Sequence, residues 1–501
     1  MRAAEIVAVG SLLVLLTPTV VSLARSWPLL ICGIALVDLL IPNDGRYTLG
    51  AGLPFQLEPY RIVAGLLLLG WLVALLVDPR VRVRRTGFEG PLALIVIATL
   101  GSELLNVGRL GAVSSFVVKS LWLFFSFVLL LYLVVSVLRT RRAIEQVITV
   151  LVAAGCVEAV GALIQRRTGV NIFNYWQHLL PFLRFDGSVE LALMREGQIR
   201  ALASAGQPIE LSNVLALLTP LAVHLALSRR QRRWWGAAAL LAIGSFASGS
   251  RTGVITLIVV LCVFLWLRPR QTLRCWPAVI PAVLLLHLFV PGAIGGVLEG
   301  FFPKQGLIAQ QTEVETGPGG VKRYNTRLSR VGPELNALAA KDALAFGIGY
   351  GTRVVGRTGS PGAQESANLA SIRVDESSSG IADAASAQDN AQILDDQWLD
   401  TIVETGIVGL CAWLWLLVAV VWRLRRRAKM EALTPEGWLP VAIAAAIAGF
   451  GVSMALYDAF SFIQGTLLMY LLIGCAAALL WLPPASGGSG GASGRAAQTD
   501  A

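Results

Sequence analysis

The chain has 501 residues, of which 55% are hydrophobic and only 14% are charged. Soluble domains carry a charge on about a quarter of their residues, so this composition excludes an ordinary soluble protein. It predicts an all-α polytopic membrane protein, because a backbone in lipid must satisfy its hydrogen bonds within helices. The formal net charge of +10 comes from short basic runs between apolar segments. That pattern is typical of cytoplasmic loops, so no nucleic-acid partner is predicted.

Candidate membrane spans recur along the whole chain. A bilayer requires about 17 to 25 apolar residues per helix, and since the second candidate is short, we expect about 12 or 13 spans. The candidates lie near residues 5–24, 28–42, 61–78, 91–107, 112–138, 143–165, 209–228, 233–249, 252–267, 275–297, 401–422, 437–458 and 460–482. The first of them resembles a retained helix more than a removed signal peptide.

Five Arg/Lys-rich loops alternate with pairs of these spans, which by the positive-inside rule puts all five in the cytoplasm. We therefore expect a multi-pass protein of the cytoplasmic (inner) membrane. It would have one membrane domain over residues 1–484, a large extracytoplasmic loop at 298–400 and a Gly/Ser-rich, disordered cytoplasmic tail at 485–501. The basic loops are Arg80–Arg85, Arg139–Arg142, Arg229–Arg233, Arg268–Arg274 and Arg423–Lys429.

The cysteines and histidines indicate neither a disulfide framework nor a metal site. The 6 cysteines lie in or at the ends of apolar segments, and the 3 histidines are widely spaced. We predict no metal and no cofactor.

Arginines on the predicted outer side form the first candidate site. The SGSRTG turn at 248–253 joins two spans almost without a loop and holds Arg251 at the outer boundary. Its planar guanidinium suits a phosphate, although an arginine there can equally reach toward lipid headgroups. Four further outer arginines extend the set, which together indicates an anionic substrate, while each alone is explained as ordinary surface charge. They are Arg200, Arg327, Arg330 and Arg353.

Carboxylates form the second candidate. Asp395 and Asp396 lie in an acidic run that leads into a span, where one of them could act as a general base toward a sugar hydroxyl. Helix capping explains them as well. Within the spans, Lys119, Glu158 and Asp458 indicate a polar cavity, an ion pathway, or a structural pair between Lys119 and Glu158.

Four motifs in this order resemble the O-antigen ligase and O-antigen polymerase family of bacterial membrane glycosyltransferases, in its actinobacterial forms. The resemblance covers residues 200–410. It implies GT-C-type architecture and a metal-independent transfer or polymerisation of a glycan, from a polyprenyl-diphosphate carrier to an acceptor hydroxyl, in cell-surface polysaccharide assembly. The motifs are Arg200-Ala201 with Gln207-Pro208, the SGSRTG turn, Arg327-Leu328 followed by Gly347–Arg353, and LDDQWLDTIVETGIVGL from Leu394.

The same resemblance implies roles for the candidate residues and names the partners. The partners would be the lipid-linked donor glycan, an acceptor glycan or lipid, and membrane lipids. Many family members have a histidine where this chain has Asp395, and a frequent histidine is replaced by Gln207. The implied catalytic residues are Arg251 and Arg327 on the leaving diphosphate and Asp395 as the base, with Arg200, Arg353, Asp396 and Arg330 binding substrate.

Two other classes of function remain open at the level of sequence. A multi-span transporter or flippase for an envelope precursor or an anionic solute fits the number of spans and the charges within them. The absence of an evident internal repeat counts against a transporter. A non-catalytic scaffold for envelope assembly leaves the outer arginines without a purpose.

Overall fold

A computed structural model gives the fold. It describes residues 26–42, 45–47, 58–179 apart from 80, 183–185, 194–195, 198–274, 314–316, 322–324, 327–351 and 396–485, with a few single positions between 284 and 295. The predicted spans at 5–24 and 275–297 and the predicted tail at 485–501 therefore lie wholly or mostly outside the described residues. So do the candidate site residues Asp395 and Arg353.

Twelve long helices make up the described fold. They are α1 (Trp27–Leu40), α2 (Pro59–Val77), α3 (Glu89–Leu105), α4 (Val107–Val137), α5 (Arg141–Thr168), α6 (Pro208–Arg229), α7 (Arg232–Ala247), α8 (Arg251–Leu267), α9 (Arg327–Ala340), α10 (Gln397–Met430), α11 (Trp438–Ser453) and α12 (Ile463–Trp481). Short helical turns occupy Ile172–Tyr175, Trp176–Leu179, Pro269–Arg274, Pro435–Gly437 and Ala459–Ser461.

Seven segments within these helices and their capping turns are long and apolar enough to cross a membrane. They lie in α2, α4, α5, α6, α10, α11 with the turn before it, and α12, while α1 and α8 are shorter apolar helices. Each of the eleven predicted spans that fall on described residues coincides with a helix. The prediction of an all-α, multi-pass membrane protein is confirmed at this level.

Three short antiparallel strand pairs lie between the helices. Strand β1 (Gly45–Tyr47) pairs with β2 (Leu183–Phe185), β3 (Met194–Arg195) with β4 (Gln198–Ile199), and β5 (Val314–Thr316) with β6 (Lys322–Tyr324). The pairing of β1 with β2 joins the predicted outer loops 43–60 and 166–208. These two loops therefore lie at the same end of the bundle.

Local sequence signals set the two ends of α5. The Thr140 side chain accepts a hydrogen bond from the Ala143 N–H before the first turn, which satisfies a donor that the helix itself cannot pair. Gly169 ends the helix at φ 79°, a left-handed conformation that glycine adopts without a Cβ penalty. The helix spans 28 residues and runs beyond its apolar core at both ends.

Helices α6 and α12 lie at the centre of the bundle. In their most apolar stretches 83% and 94% of residues are buried, against 22% in α2. Helix α6 packs against α5, α7, α8 and α11, α12 packs against α4, α10 and α11, and α10 packs against α3 and α11. The exposed leucines of α2 face outward, as a lipid-facing helix requires.

All five basic loops come together at one end of the bundle. Glu431, just after α10, receives two hydrogen bonds from the Arg141 guanidinium and one from Arg427. These contacts join the start of α5 to the end of α10, and the remaining basic loops connect to the same end. The further contacts are Trp481 Nε1 to Arg85 O at 2.7 Å, Arg229 to Thr149 Oγ1 at 2.7 Å, and Arg268 to Ala432 O at 2.6 Å.

Candidate functional site

The α7–α8 turn places Arg251 at the end of the bundle opposite the basic loops. Gly249 takes φ 62° in this turn, and the Ser250 N–H donates to Ser248 Oγ at 3.2 Å. Ser250 then caps α8, because its hydroxyl accepts from the Thr252 N–H at 3.3 Å. Arg251 is consequently the first residue of the helix and is half-buried.

Two other arginines converge on this turn. The Arg200 Nε donates to Ser248 O at 3.1 Å, and a guanidinium nitrogen of Arg166 donates to Ile199 O at 3.0 Å and Ala247 O at 3.3 Å. A Cβ added to Gly249 would lie 3.6 Å from Arg200 Cγ and 3.9 Å from an Arg166 nitrogen. We refer to Arg166, Arg200 and Arg251 as the outer arginine cluster, after the side of the membrane that the sequence predicts for them.

Arg166 was not among the sequence candidates. It lies near the end of α5, where the predicted span stops, and the apolar pattern gave no reason to separate it from loop residues. One signal was present: Arg166 and Arg167 stand on the predicted outer side, where the positive-inside rule leaves few arginines.

Asp396 caps α10, as the capping alternative predicted. Its Oδ1 accepts from the Trp398 N–H at 2.9 Å and from the Leu399 N–H at 3.3 Å. Two donors at the positive end of the helix dipole stabilise the ionised carboxylate. One of its oxygens therefore contributes to the helix cap.

Helix α10 is broken at Gly406, and a segment distant in sequence forms hydrogen bonds with the backbone groups on both sides of the break. Gly406 has φ 71° and ψ −171°. The Ile348 and Gly349 N–H groups donate to Val403 O at 2.9 Å and Glu404 O at 3.3 Å, and beyond the break the Ile407 and Val408 N–H groups donate to Leu344 O at 2.9 Å and Ala345 O at 3.2 Å. The described residues 347–351 of one predicted motif and the ETGIVGL part of another thus meet at this break. We call residues 343–351 the inserted segment.

The inserted segment carries Tyr350 to a carboxylate. The Gly351 N–H donates to Glu404 Oε1 at 3.1 Å, and the Tyr350 ring lies 5.7 Å from the ring of Phe124. The residue is partly exposed, and it interacts electrostatically with the Glu404 carboxylate.

Polar contacts connect the arginine turn with the start of α10. Thr256, one turn into α8, bonds Asn213 Oδ1 at 2.9 Å, and Asn213 Nδ2 donates to Tyr457 Oη at 2.8 Å. The Gln397 N–H donates to Met454 O at 2.8 Å and approaches Tyr457 O at 3.3 Å. Arg251 and Asp396 accordingly lie at the same end of the bundle.

The remaining candidates are described only in part. Arg327 and Arg330 belong to the first turn of α9, and their side chains lie outside the described residues. Leu338, near the end of α9, packs with Ile348, Leu399 and Val403. This contact places α9 against the first half of α10.

Lys119 and Glu158 do not form the pair that was one of the sequence alternatives. Glu158 is 0% exposed and accepts a hydrogen bond from Ser204 at 2.8 Å, whereas Lys119 is exposed.

Comparison with known proteins adds no family. No protein-family model matches the chain, and no curated protein sequence matches it either. The fold defines the class of protein, a multi-pass helical membrane protein with arginines and carboxylates gathered at one end.

Proposed function

We propose that this protein is a metal-independent glycosyltransferase of the cytoplasmic membrane, which transfers or polymerises a glycan from a polyprenyl-diphosphate carrier onto an acceptor hydroxyl at the outer face. The outer arginine cluster is the observation that carries the proposal. Three arginines from different parts of the chain meet at one tight turn, and planar guanidinium groups are suited to a diphosphate. The acidic start of α10 lies at the same end, and the four-motif resemblance to the O-antigen ligase and polymerase family supports the same reaction.

The proposed reaction uses these groups in one displacement. The acceptor oxygen forms a bond to the anomeric carbon of the donor, the bond between that carbon and the diphosphate oxygen breaks, and the acceptor proton passes to a carboxylate. Negative charge grows on the departing diphosphate. The forked N–H donors of Arg251 stabilise that charge. The positive N-terminal end of the α8 dipole, where Arg251 lies, stabilises it as well.

The base is assigned to Asp395 in this proposal. Its neighbour Asp396 already accepts two backbone N–H groups through one oxygen, and this oxygen caps α10. Arg327 and Arg353 complete the diphosphate site in the proposal, and Arg330 and Asp396 contact the glycan.

Arginine-to-lysine variants test the reaction. Arg251→Lys and Arg200→Lys keep the charge but lose the planar fork, so we expect transfer from a polyprenyl-diphosphate glycan to fall by roughly 100-fold. The matched control is Arg232→Lys, an exposed arginine at the opposite end, which should transfer normally. Turnover is measured with purified protein in lipid, alongside the unfolding midpoint. Near-normal turnover in both outer variants would refute the role of the arginine cluster.

A transporter or flippase is the second candidate, and the broken helix α10 is the feature that bears on it. Many transporters bind ions at the unpaired backbone of broken helices. Here the inserted segment forms hydrogen bonds with backbone groups on both sides of Gly406. These groups are therefore not unpaired in the way that an ion site in a broken helix requires. Reconstituted vesicles distinguish the two functions, because a flippase would move the lipid-linked glycan across the bilayer without transferring it.

Cysteine labelling tests the orientation. We expect Lys341→Cys, between α9 and the inserted segment, to react with a membrane-impermeant thiol reagent. The cells used have an intact cytoplasmic membrane and outer envelope layers that the reagent can cross. Arg232→Cys, at the basic end, should react only after the membrane is opened. Both positions are exposed, so the comparison reports sidedness. The reverse pattern would overturn the assignment of the outer face.

A further inference from the structure

Beneath the loop that carries Arg200 lies a buried polar assembly that the proposed reaction does not use. It consists of Asp38 on α1, Glu158 on α5, Ser204 in the loop before α6, and Gln464 on α12. Asp38 is 2% exposed, and the other three are 0% exposed. An ionised carboxylate in such a position is costly unless a cation or several donors compensate it.

The electrostatic neighbours of these carboxyls are themselves acidic. Asp38 interacts with Glu210 and Glu158, and Glu158 interacts with Glu210. Gln464 contributes no charge, and Arg61 on α2, which packs against α1, is paired with Glu58 at 3.2 Å. On α4, Lys119 is exposed, and on α6, His224 lies toward Arg141 and Arg229 at the opposite end. Within the described part of the chain, no group of three acidic, histidine or cysteine side chains is arranged to hold a metal ion.

The side chains around Asp38 and Glu158 supply too few hydrogen-bond donors for both carboxyl groups to be ionised. The single hydroxyl hydrogen of Ser204 has two acceptors within reach, the Leu39 carbonyl and Glu158 Oε1, the latter at 2.8 Å. Gln464 Nε2 donates to Asp38 O at 2.7 Å and toward Ser204 Oγ at 3.3 Å. Within this assembly, three buried acceptor atoms receive no hydrogen bond at all: Asp38 Oδ1, Glu158 Oε2 and Gln464 Oε1.

A proton on Glu158 would supply the donor that is missing at the Ser204 hydroxyl. If Glu158 Oε1 carries a hydrogen, it donates to Ser204 Oγ, and Ser204 is then free to donate to the Leu39 carbonyl. Glu158 becomes a neutral acid, and its remaining bare oxygen is a carbonyl, which costs far less to leave unpaired than a carboxylate. We propose that Asp38, Glu158, Ser204 and Gln464 form a buried proton-binding site in which Glu158 holds the proton at neutral pH.

Infrared spectroscopy of the full-length protein in lipid tests this site without any substrate. A protonated carboxyl gives a C=O stretching band, separate from the carboxylate bands, that shifts in D2O. We expect Glu158→Gln to lose one such band present in the wild type at neutral pH, while its unfolding midpoint stays within a few degrees. Glu89→Gln at the start of α3 is the control, because the Glu89 carboxylate accepts hydrogen bonds from the Thr86 and Gly87 N–H groups, and this variant should lose carboxylate intensity only.

Two results would contradict the proposal. If Glu158→Gln keeps the full protonated-carboxyl intensity and loses carboxylate intensity, Glu158 is ionised and the proposal is wrong. If that variant fails to fold, Ser204→Ala decides, because removing the hydroxyl should move the Glu158 C=O band without abolishing it. A spectrum unchanged by Ser204→Ala would exclude a protonated acid bound to that hydroxyl.

Discussion

Replacing Gly406 by alanine should prevent α10 from forming its native break and should destabilise the protein strongly. The φ and ψ angles of 71° and −171° fall in a region open almost only to glycine, which costs another residue roughly 1 to 3 kcal/mol. A Cβ there would also lie 2.1 Å from Ala345 O and 2.4 Å from Phe346 N. These are backbone atoms, so no side-chain rotation relieves the overlap, which adds about 1 to 3 kcal/mol.

The matched control is Gly236→Ala in α7. No atom would lie within 4 Å of the new Cβ, and alanine in a helix interior is favoured over glycine by roughly 0.5 to 1 kcal/mol. We therefore expect Gly236→Ala to match or exceed the wild-type unfolding midpoint, while Gly406→Ala expresses poorly and unfolds at a much lower temperature. Equal midpoints for the two variants would mean that α10 runs through Gly406 unbroken.

The membrane helices were predictable because the bilayer imposes a simple rule on the sequence. A spanning segment must be apolar and long enough, whatever it packs against. The ends of the predicted spans 209–228 and 233–249 therefore lie within two residues of the ends of α6 and α7. Helix ends were less predictable, since α10 extends from Gln397 to Met430 although its apolar stretch was placed at 401–422. A helix continues in water as long as its backbone hydrogen bonds and end contacts hold.

The break in α10 and the inserted segment could not be predicted in the same way. The motif around Gly406 was taken for the beginning of a span, because apolar residues follow it. The groups that repair the break come from Leu344–Gly349, more than 50 residues earlier, and pairing at such a separation leaves no periodic signal. The glycines themselves were visible, but a glycine in sequence does not reveal its φ angle.

The polar clusters were partly predictable. Arg200, Arg251 and Asp396 were identified from their motifs, and Glu158 from its cost in an apolar span. Glu210 lies in the first turn of α6, where an acidic residue is ordinary, so nothing marked it as a neighbour of Asp38 and Glu158. Gln464 was missed because an amide in a span carries no charge to attract notice.

Replacing Glu431 by glutamine should produce the largest loss of stability at the basic end. The side chain is 0% exposed, and its carboxylate meets Arg141 at 2.8 Å and Arg427 at 2.7 Å. Glutamine keeps the shape but leaves the guanidinium of Arg427, which is only 3% exposed, without its counter-ion. Removing one partner of a buried pair costs about 3 to 5 kcal/mol. Glu436→Gln in the same loop, whose side chain is half-buried, should change little.

The pH dependence provides a second measurement on the same group. Burial alone would raise the Glu431 pKa, but hydrogen bonds from Arg141 and the Ala485 N–H, with the charges of Arg141 and Arg427, lower it below its ordinary 4.5. The carboxylate therefore contributes stability that is fully present above pH 4.5 and is lost as the pH falls through the lower folded-state pKa. The difference in unfolding free energy between wild type and Glu431→Gln should be constant at neutral pH and shrink in acid. A difference that stays unchanged into strong acid would show that the cost of the substitution is steric rather than electrostatic.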